Sequence, residues 1–241
     1  MDLLEQCPPP ILDPDGRASS DPASSSTPPG RQVGRALSVA GRLIDIAVAG
    51  TVLLVLSPML VMIALLIRRG SPGPALFAQE RLGRERVPFS LLKFRTMRCD
   101  ASEDLHREYV QTLIAARPDE SHDGLYKLTV DHRITPLGRV LRSWSLDEIP
   151  QLINVLRGEM ALVGPRPVIA YEAEVYPASY MGRFAVTPGL TGLWQVSGRN
   201  ERTYDEMIQF DLDYAAQRSL RLDLKILLRT IPVVLRRRGV A

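Results

Sequence analysis

The chain has 241 residues, a formal net charge of +3 and 45% hydrophobic residues. That length holds one sizeable domain with accessory segments, and the small basic excess suits an anionic partner without calling for nucleic acid. Two widely separated cysteines, Cys7 and Cys99, form no C-x-x-C pair and argue against a disulfide framework or a cysteine zinc site, which fits chemistry on the cytoplasmic side. His106, His122 and His132 make no H-E-x-x-H pattern, and no G-x-S-x-G or Walker A loop occurs.

Residues 1–34 are expected to be a disordered tail, because Pro, Ser, Gly and Asp dominate from Cys7 onwards and cannot bury enough apolar surface to offset ordering entropy. The tail lacks the basic and apolar regions of a signal peptide. Residues 46–67 are uncharged and long enough to span a bilayer as a helix. Ser57-Pro58 interrupts them at the midpoint, where proline frees a backbone carbonyl that the Ser57 hydroxyl can satisfy. Arg31, Arg35 and Arg42 precede the segment, and Arg68, Arg69, Arg81, Arg84 and Arg86 follow it. Positive charge at both ends favours a helix–break–helix that enters and returns, while a proline-kinked spanning helix fits the composition equally well.

Ser71-Pro72-Gly73-Pro74 reads as a turn-rich exit. Residues 75–79 and 88–97 follow as two strands of a hairpin turning at Leu82-Gly83-Arg84-Glu85. Lys93 and Arg95 alternate onto one face, as a phosphate site or a plain basic edge. A helix is expected over residues 103–116, then a loop carrying Asp131 and Arg133, then a short helix with Arg139 and Arg142.

Residues 143–167 carry the strongest chemical signal. Asp147 and Glu148 stand just ahead of Pro150, and proline is tolerated only in the first turn of a helix. The carboxylates therefore lie at or before the start of a helix ending near Arg157, with Gly158 as its C′ residue. A helix start favours ionised carboxylates, suited to a nucleophile or metal ligand. Ser145-x-x-Glu148 is also an ordinary capping box, so the pair alone does not require chemistry. Arg133, Arg139, Arg142 and Arg166 surround it in sequence, as an approaching anion would need.

The glycine-punctuated residues 187–199 read as a ligand loop, with Trp194 as packing or an interfacial anchor. Asp211 and Asp213 form a D-x-D inside a helix, where diverging side chains favour solvated surface over metal binding. Residues 220–235 combine an apolar face with Arg221, Lys225 and Arg229, fitting an interfacial helix bent at Pro232 or a docked C-terminal helix.

Four motifs in order now carry a resemblance. They are Lys93-Phe94-Arg95-Thr96-Met97, the run from Leu141 to Leu152 through Asp147-Glu148-Ile149-Pro150, Gly164-Pro165-Arg166-Pro167, and Pro188-Gly189-Leu190-Thr191-Gly192. From about residue 35 onwards the chain resembles the bacterial sugar transferases, the monotopic polyprenyl-phosphate hexose-1-phosphate transferases. The resemblance implies transfer of a hexose-1-phosphate, galactose or glucose, from a UDP-sugar to undecaprenyl phosphate. This would initiate exopolysaccharide or surface-glycan synthesis at the cytoplasmic face of the bacterial inner membrane, in contact with membrane lipid. It implies Asp147 as the nucleophile that releases UMP and holds a covalent phosphosugar, Glu148 as a Mg²⁺ ligand, and Lys93 and Arg142 as further active-site residues. Arg166, framed by Pro165 and Pro167, would contact the nucleotide-sugar, with Arg133, Arg95 and Arg199 completing the substrate-binding set. A homodimer and downstream glycosyltransferases are compatible partners.

The expected fold is mainly α with a small β-hairpin. It is a monotopic membrane protein with a re-entrant helix broken at Ser57-Pro58 (residues 35–70), interfacial amphipathic helices and a cytoplasmic catalytic domain (residues 71–241). Longer relatives carry upstream membrane helices and a further domain, where this chain is expected to have only its tail. Asp-Pro-Arg-Ile-Thr of the family reads Asp131-His132-Arg133-Ile134-Thr135 here, and a family Gly-Ala-Tyr ending reads Gly239-Val240-Ala241. Three rivals remain. One is the same reaction with an amino- or diamino-hexose, one a non-catalytic membrane scaffold, and one a D-x-D glycosyltransferase releasing UDP.

Overall fold

The computed structural model describes residues 31–97, 133–198 and 203–235. The expected helix over residues 103–116, Asp131 and Arg199 lie outside the described residues.

Helix α1 (Arg31–Gly70) is 40 residues long. Its segment Val39–Gly70 is long and apolar enough to cross a membrane. The helix continues through Pro58 instead of stopping there. The local reason is visible: Pro58 has no N–H for the Leu54 carbonyl, and the Ser57 hydroxyl donates to that carbonyl at 2.8 Å. Ala49, Ile63 and Ile67 on one side of α1 are buried, whereas Leu54 is 76% exposed and Val55, Val61, Met62 and Leu65 are also exposed. Both ends of the helix are tied to one globular body. Arg42 donates to the Val155 and Leu156 carbonyls, and Asp45 accepts from the Leu162 amide. At the other end Arg95 donates to the Ser71 and Pro72 carbonyls.

Strands β1 (Leu76–Leu82) and β2 (Pro88–Phe94) pair antiparallel from Leu76 opposite Phe94 to Leu82 opposite Pro88. The hairpin arrives as expected, with Glu85 and Arg86 at positive φ in its turn. Helix α2 (Pro136–Ser143) opens with proline at its first position and is capped by Thr135, whose hydroxyl accepts from the Gly138 amide. Helix α3 (Gln151–Arg157) begins directly after Pro150 and ends at Gly158 with φ 88°, as proline and glycine dictate. Fully buried Asn154 pins α3 to the hairpin, accepting from the Leu92 amide and donating to the Ser90 carbonyl.

A second sheet, unexpected from the sequence, pairs β3 (Ala161–Val163) in parallel with β4 (Gly189–Thr191). The glycines around β4 serve this pairing. A Cβ on Gly189 would sit 2.0 Å from the Gly164 nitrogen, and one on Gly192 would sit 2.5 Å from the Gly164 carbonyl oxygen. Their smallness lets two backbones meet, and Gly189, Leu190 and Gln195 of the same loop also line a pocket. Helix α4 (Ala170–Glu174) follows β3. Helix α5 (Tyr204–Gln217) starts at a Thr203–Glu206 capping box, and α6 (Leu220–Leu235) continues through Pro232.

The main core gathers Leu91, Leu152, Val155, Met160, Tyr214 and Ile226. A second cluster holds Trp194 with Val168, Phe184, Met207 and Ile208, so Trp194 is packing and not an interfacial anchor. A third joins Ile63 and Ile67 of α1 to Phe94 and Leu141, binding the long helix to the hairpin.

Candidate active site

Asp147 and Glu148 occupy a 3-10 turn, Leu146–Glu148, between α2 and α3. The expected capping box is not formed. Ser145 sits in the left-handed region at φ 54° and its side chain makes no capping bond, whereas an N-cap needs extended backbone. This left-handed residue, unusual outside glycine, turns the chain sharply into the carboxylate pair.

Asp147 is only 9% exposed. Burial first, and the neighbouring Glu148 second, push its carboxyl above the ordinary range, while Lys93 and Arg142 oppose them. The expectation that a helix start keeps this carboxyl in the ordinary acidic range is corrected: burial and Glu148 outweigh the opposing pull of Lys93, Arg142 and the local backbone hydrogen bond. Glu148 lies 3.8 Å from the Lys93 ammonium and 3.8 Å from the Arg166 guanidinium. Burial lowers Lys93 to about 8, with Arg166 and Arg81 adding to the effect and Glu148 opposing it. Arg142 donates through Nε to the Thr96 hydroxyl at 2.9 Å, which fixes its guanidinium beside the turn.

A pocket in front of Glu148 is lined by Arg81, Lys93, Gln151, Arg166, Pro167 and Gln195, among others. The structure thus brings together Lys93, Glu148, Arg166 and Pro167, with Asp147 and Arg142 adjoining. Arg95 was expected beside Lys93 but is placed elsewhere. It is 6% exposed and its guanidinium donates to Ser71 and Pro72 at the exit of α1, because it follows the end of β2. Pro165 faces β4, its carbonyl accepting from the Gly189 amide. Arg133 is half-buried in the turn before the Met97–Ile134 bridge.

Sequence reading missed four contributors. Arg81 projects from β1 to donate to the Pro167 carbonyl. Gln151 and Gln195 are buried polar residues of the pocket wall. Glu172 of α4 is raised by burial, while Arg81, Arg183 and Arg166 pull it down. The two prolines beside Arg166, which remove two donors from the loop, were the only sequence hint of the Arg81 contact, and nothing local marked Gln151, Gln195 or Glu172. Asp211 corrects a further expectation. It is not solvated but 1% exposed, and ion-paired with Arg183 at 2.6 Å. Buried against Arg183, Asp211 is not the solvent-facing member that a D-x-D metal–nucleotide site would need. Burial pushes Asp211 up to about 6, with Arg183 opposing.

The site thus sets buried Asp147 and half-buried Glu148 among Lys93, Arg142 and Arg166, in a chain that also carries a helix long and apolar enough to cross a membrane. Sequence comparison gives the family. The model of the bacterial sugar transferases matches residues 36–237, and the chain belongs to that family. It is 44% identical over 198 residues to the UDP-galactose-lipid carrier transferase of Erwinia amylovora, covering 82% of this chain and 41% of that one. It is 40% identical to the exopolysaccharide production protein ExoY of Rhizobium meliloti, covering 83% of this chain and 88% of ExoY. A UDP-glucose:undecaprenyl-phosphate glucose-1-phosphate transferase of Caulobacter vibrioides is 39% identical, covering 83% of this chain and 71% of that relative. The chain thus spans about two fifths of the length of the Erwinia relative and most of ExoY.

Proposed function

We propose that the protein transfers a hexose-1-phosphate, galactose or glucose, from a UDP-sugar to undecaprenyl phosphate and releases UMP. The observation that carries this reading is Asp147, buried yet flanked by Lys93 and Arg142, with Glu148 and Arg166 beside it. A desolvated carboxylate with cations beside it suits nucleophilic attack on an anionic phosphate, because the same cations offset the repulsion between the two anions. An Asp147 oxygen bonds to the sugar-bearing phosphorus, and the bond to the bridging oxygen breaks with its electron pair leaving on UMP. A phosphate oxygen of the lipid then attacks the same phosphorus. The bond to Asp147 breaks and the free carboxylate returns.

Among the described residues no group of three His, Cys, Asp or Glu could hold a metal ion unaided. Glu148 fits Mg²⁺, which needs only one or two carboxylates when substrate phosphates and water supply the rest. Once bound, the ion would neutralise pyrophosphate charge. Arg166, Arg81 and Lys93 offer cations to the same anion, and Arg142 orients against Thr96 beside Asp147.

The membrane reading follows the same lines. Two ends of α1 tied to one charged body support a helix that dips into the membrane without crossing it, because a crossing would carry one tie into or beyond lipid; Pro58, inside the continuous helix, is the point at which it would have to bend. Exposed Leu224, Leu228 and Ile231 lie beside the basic row Arg221, Lys225 and Arg229 on α6, which supports an interfacial helix at the cytoplasmic face of the inner membrane. The names of the galactose and glucose relatives favour these sugars over amino- or diamino-hexoses.

The test is to incubate the membrane-embedded protein with a panel of UDP-sugars and undecaprenyl phosphate and identify the released nucleotide. UMP is expected, with UDP-galactose or UDP-glucose preferred. UDP would instead indicate ordinary glycosyl transfer, and no nucleotide at all would support a scaffold.

A further inference from the structure

The loop that carries Arg166 has an unusual backbone economy. Pro165 and Pro167 have no N–H to donate, so the loop is held through its carbonyl oxygens. Each of three successive carbonyls has a donor from a different element. The Pro165 carbonyl accepts from the Gly189 amide of β4 at 2.8 Å. The Arg166 carbonyl accepts from Arg183 Nη2 at 2.9 Å, and the Pro167 carbonyl from Arg81 Nη1 at 3.2 Å. With the peptide planes on both sides of the Arg166 Cα fixed, the direction of its Cα–Cβ bond is fixed as well.

Arg183 is the central clamp, and it is buried. It is 2% exposed, and the same Nη2 donates to Asp211 Oδ2 at 2.6 Å while Nη1 donates to the Tyr176 hydroxyl at 2.9 Å. Its guanidinium carbon stands 5.8 Å from the centre of the Tyr176 ring. One planar fork therefore joins α5, the segment around Tyr176 and the loop at Arg166. Lysine could not reproduce this geometry. Net stability is a weak reason for such a group, since a buried ion pair often returns less than its desolvation costs, even though breaking it by removing one partner is costly.

We infer that Arg183, held by Asp211, is a positioning residue: it clamps the Arg166 main chain so that the Arg166 side chain is pre-aimed at the donor pyrophosphate. This rests on the proposed role of Arg166 toward the nucleotide-sugar. A pre-aimed arginine loses less freedom on binding, so the clamp acts on affinity.

The experiment uses the full chain in lipid nanodiscs. The apolar pair Arg183→Met with Asp211→Leu removes the fork and its counter-ion together. Expected are at least about a tenfold rise in KM for the UDP-sugar, a smaller change in kcat, and faster amide hydrogen exchange across residues 164–168. Arg166→Ala should then cost under about threefold in that background, against about tenfold or more alone, because the clamp acts through Arg166. Equal costs in both backgrounds with unchanged exchange would overturn the proposal. If the double variant does not fold, Arg183→Lys decides: faster exchange at 164–168 with weaker UDP-sugar binding supports the clamp, and wild-type values for both overturn it. A wild-type protein that binds no UDP-sugar, combined with faster exchange in the variants, would remove the functional reading of Arg166 while leaving the clamp in place.

Discussion

Two clusters that each pair a carboxylate with one or more cations meet the loop formed by residues 164–167, one through the Arg166 side chain and one through the Arg166 carbonyl, and they are built differently. On the pocket side, Lys93 and Arg166 each stand 3.8 Å from Glu148, with side chains 19%, 39% and 22% exposed respectively. On the interior side, Arg183 and Asp211 meet at 2.6 Å with both side chains 1% exposed. The pocket charges are near enough to attract but too far apart for direct hydrogen bonds, which leaves donors for an incoming anion. Those of the interior cluster are joined by a direct hydrogen bond. On the proposed roles the first cluster acts in chemistry and the second sets geometry, so substitutions should separate turnover from stability.

The largest effect is expected at the proposed nucleophile. Asp147→Asn should lower turnover by at least about 10³-fold, measured as UMP release, with the melting temperature unchanged or raised because the burial penalty of a charge is removed. A melting temperature lowered in step with activity would make Asp147 structural and erase the contrast. Next comes Arg183→Met alone, which leaves Asp211 buried without its partner and should cost about 3–5 kcal/mol of stability in urea unfolding. Lys93→Met should reduce turnover by about 10²-fold and leave stability equal or higher, since burial already disfavours that ammonium and lowers it to about 8.

The smallest effect concerns pH. Burial raises Asp211 from 3.8 to about 6, so the folded protein binds this proton more tightly than the unfolded chain. The sign follows from linkage: the contribution of this group is fullest below about pH 4 and is lost as pH rises through about 6. Asp211→Asn should remove that slope from urea-unfolding curves between these limits. An unchanged slope would mean that Arg183 fully offsets the desolvation of Asp211.

The same division decided what could be read from sequence. Pro150 and Gly158 delimited α3 because each residue type permits few backbone conformations, and the hairpin followed from alternation closed by a glycine turn. Lys93, Arg142, Asp147, Glu148 and Arg166 stood out because they cluster within recognisable motifs. The interior cluster was not legible. Arg183 and Asp211 are 28 residues apart, and an isolated charge in an amphipathic stretch looks like solvated surface. Strands β3 and β4 have three residues each, too few to display a period, and their pairing depends on the long-range approach of Gly164 to Gly189. Arg95 misled because strand alternation stops at Phe94, so its side chain follows the local turn toward Ser71.

The most direct test of the central claim is intact-mass analysis of the protein mixed with UDP-galactose or UDP-glucose and Mg²⁺ in the absence of undecaprenyl phosphate. One hexose-phosphate adduct per chain is expected, mapped to Asp147, with one equivalent of UMP released and the adduct discharged on adding the lipid phosphate. Nucleotide release without any adduct, or an adduct that persists in Asp147→Asn, would contradict it.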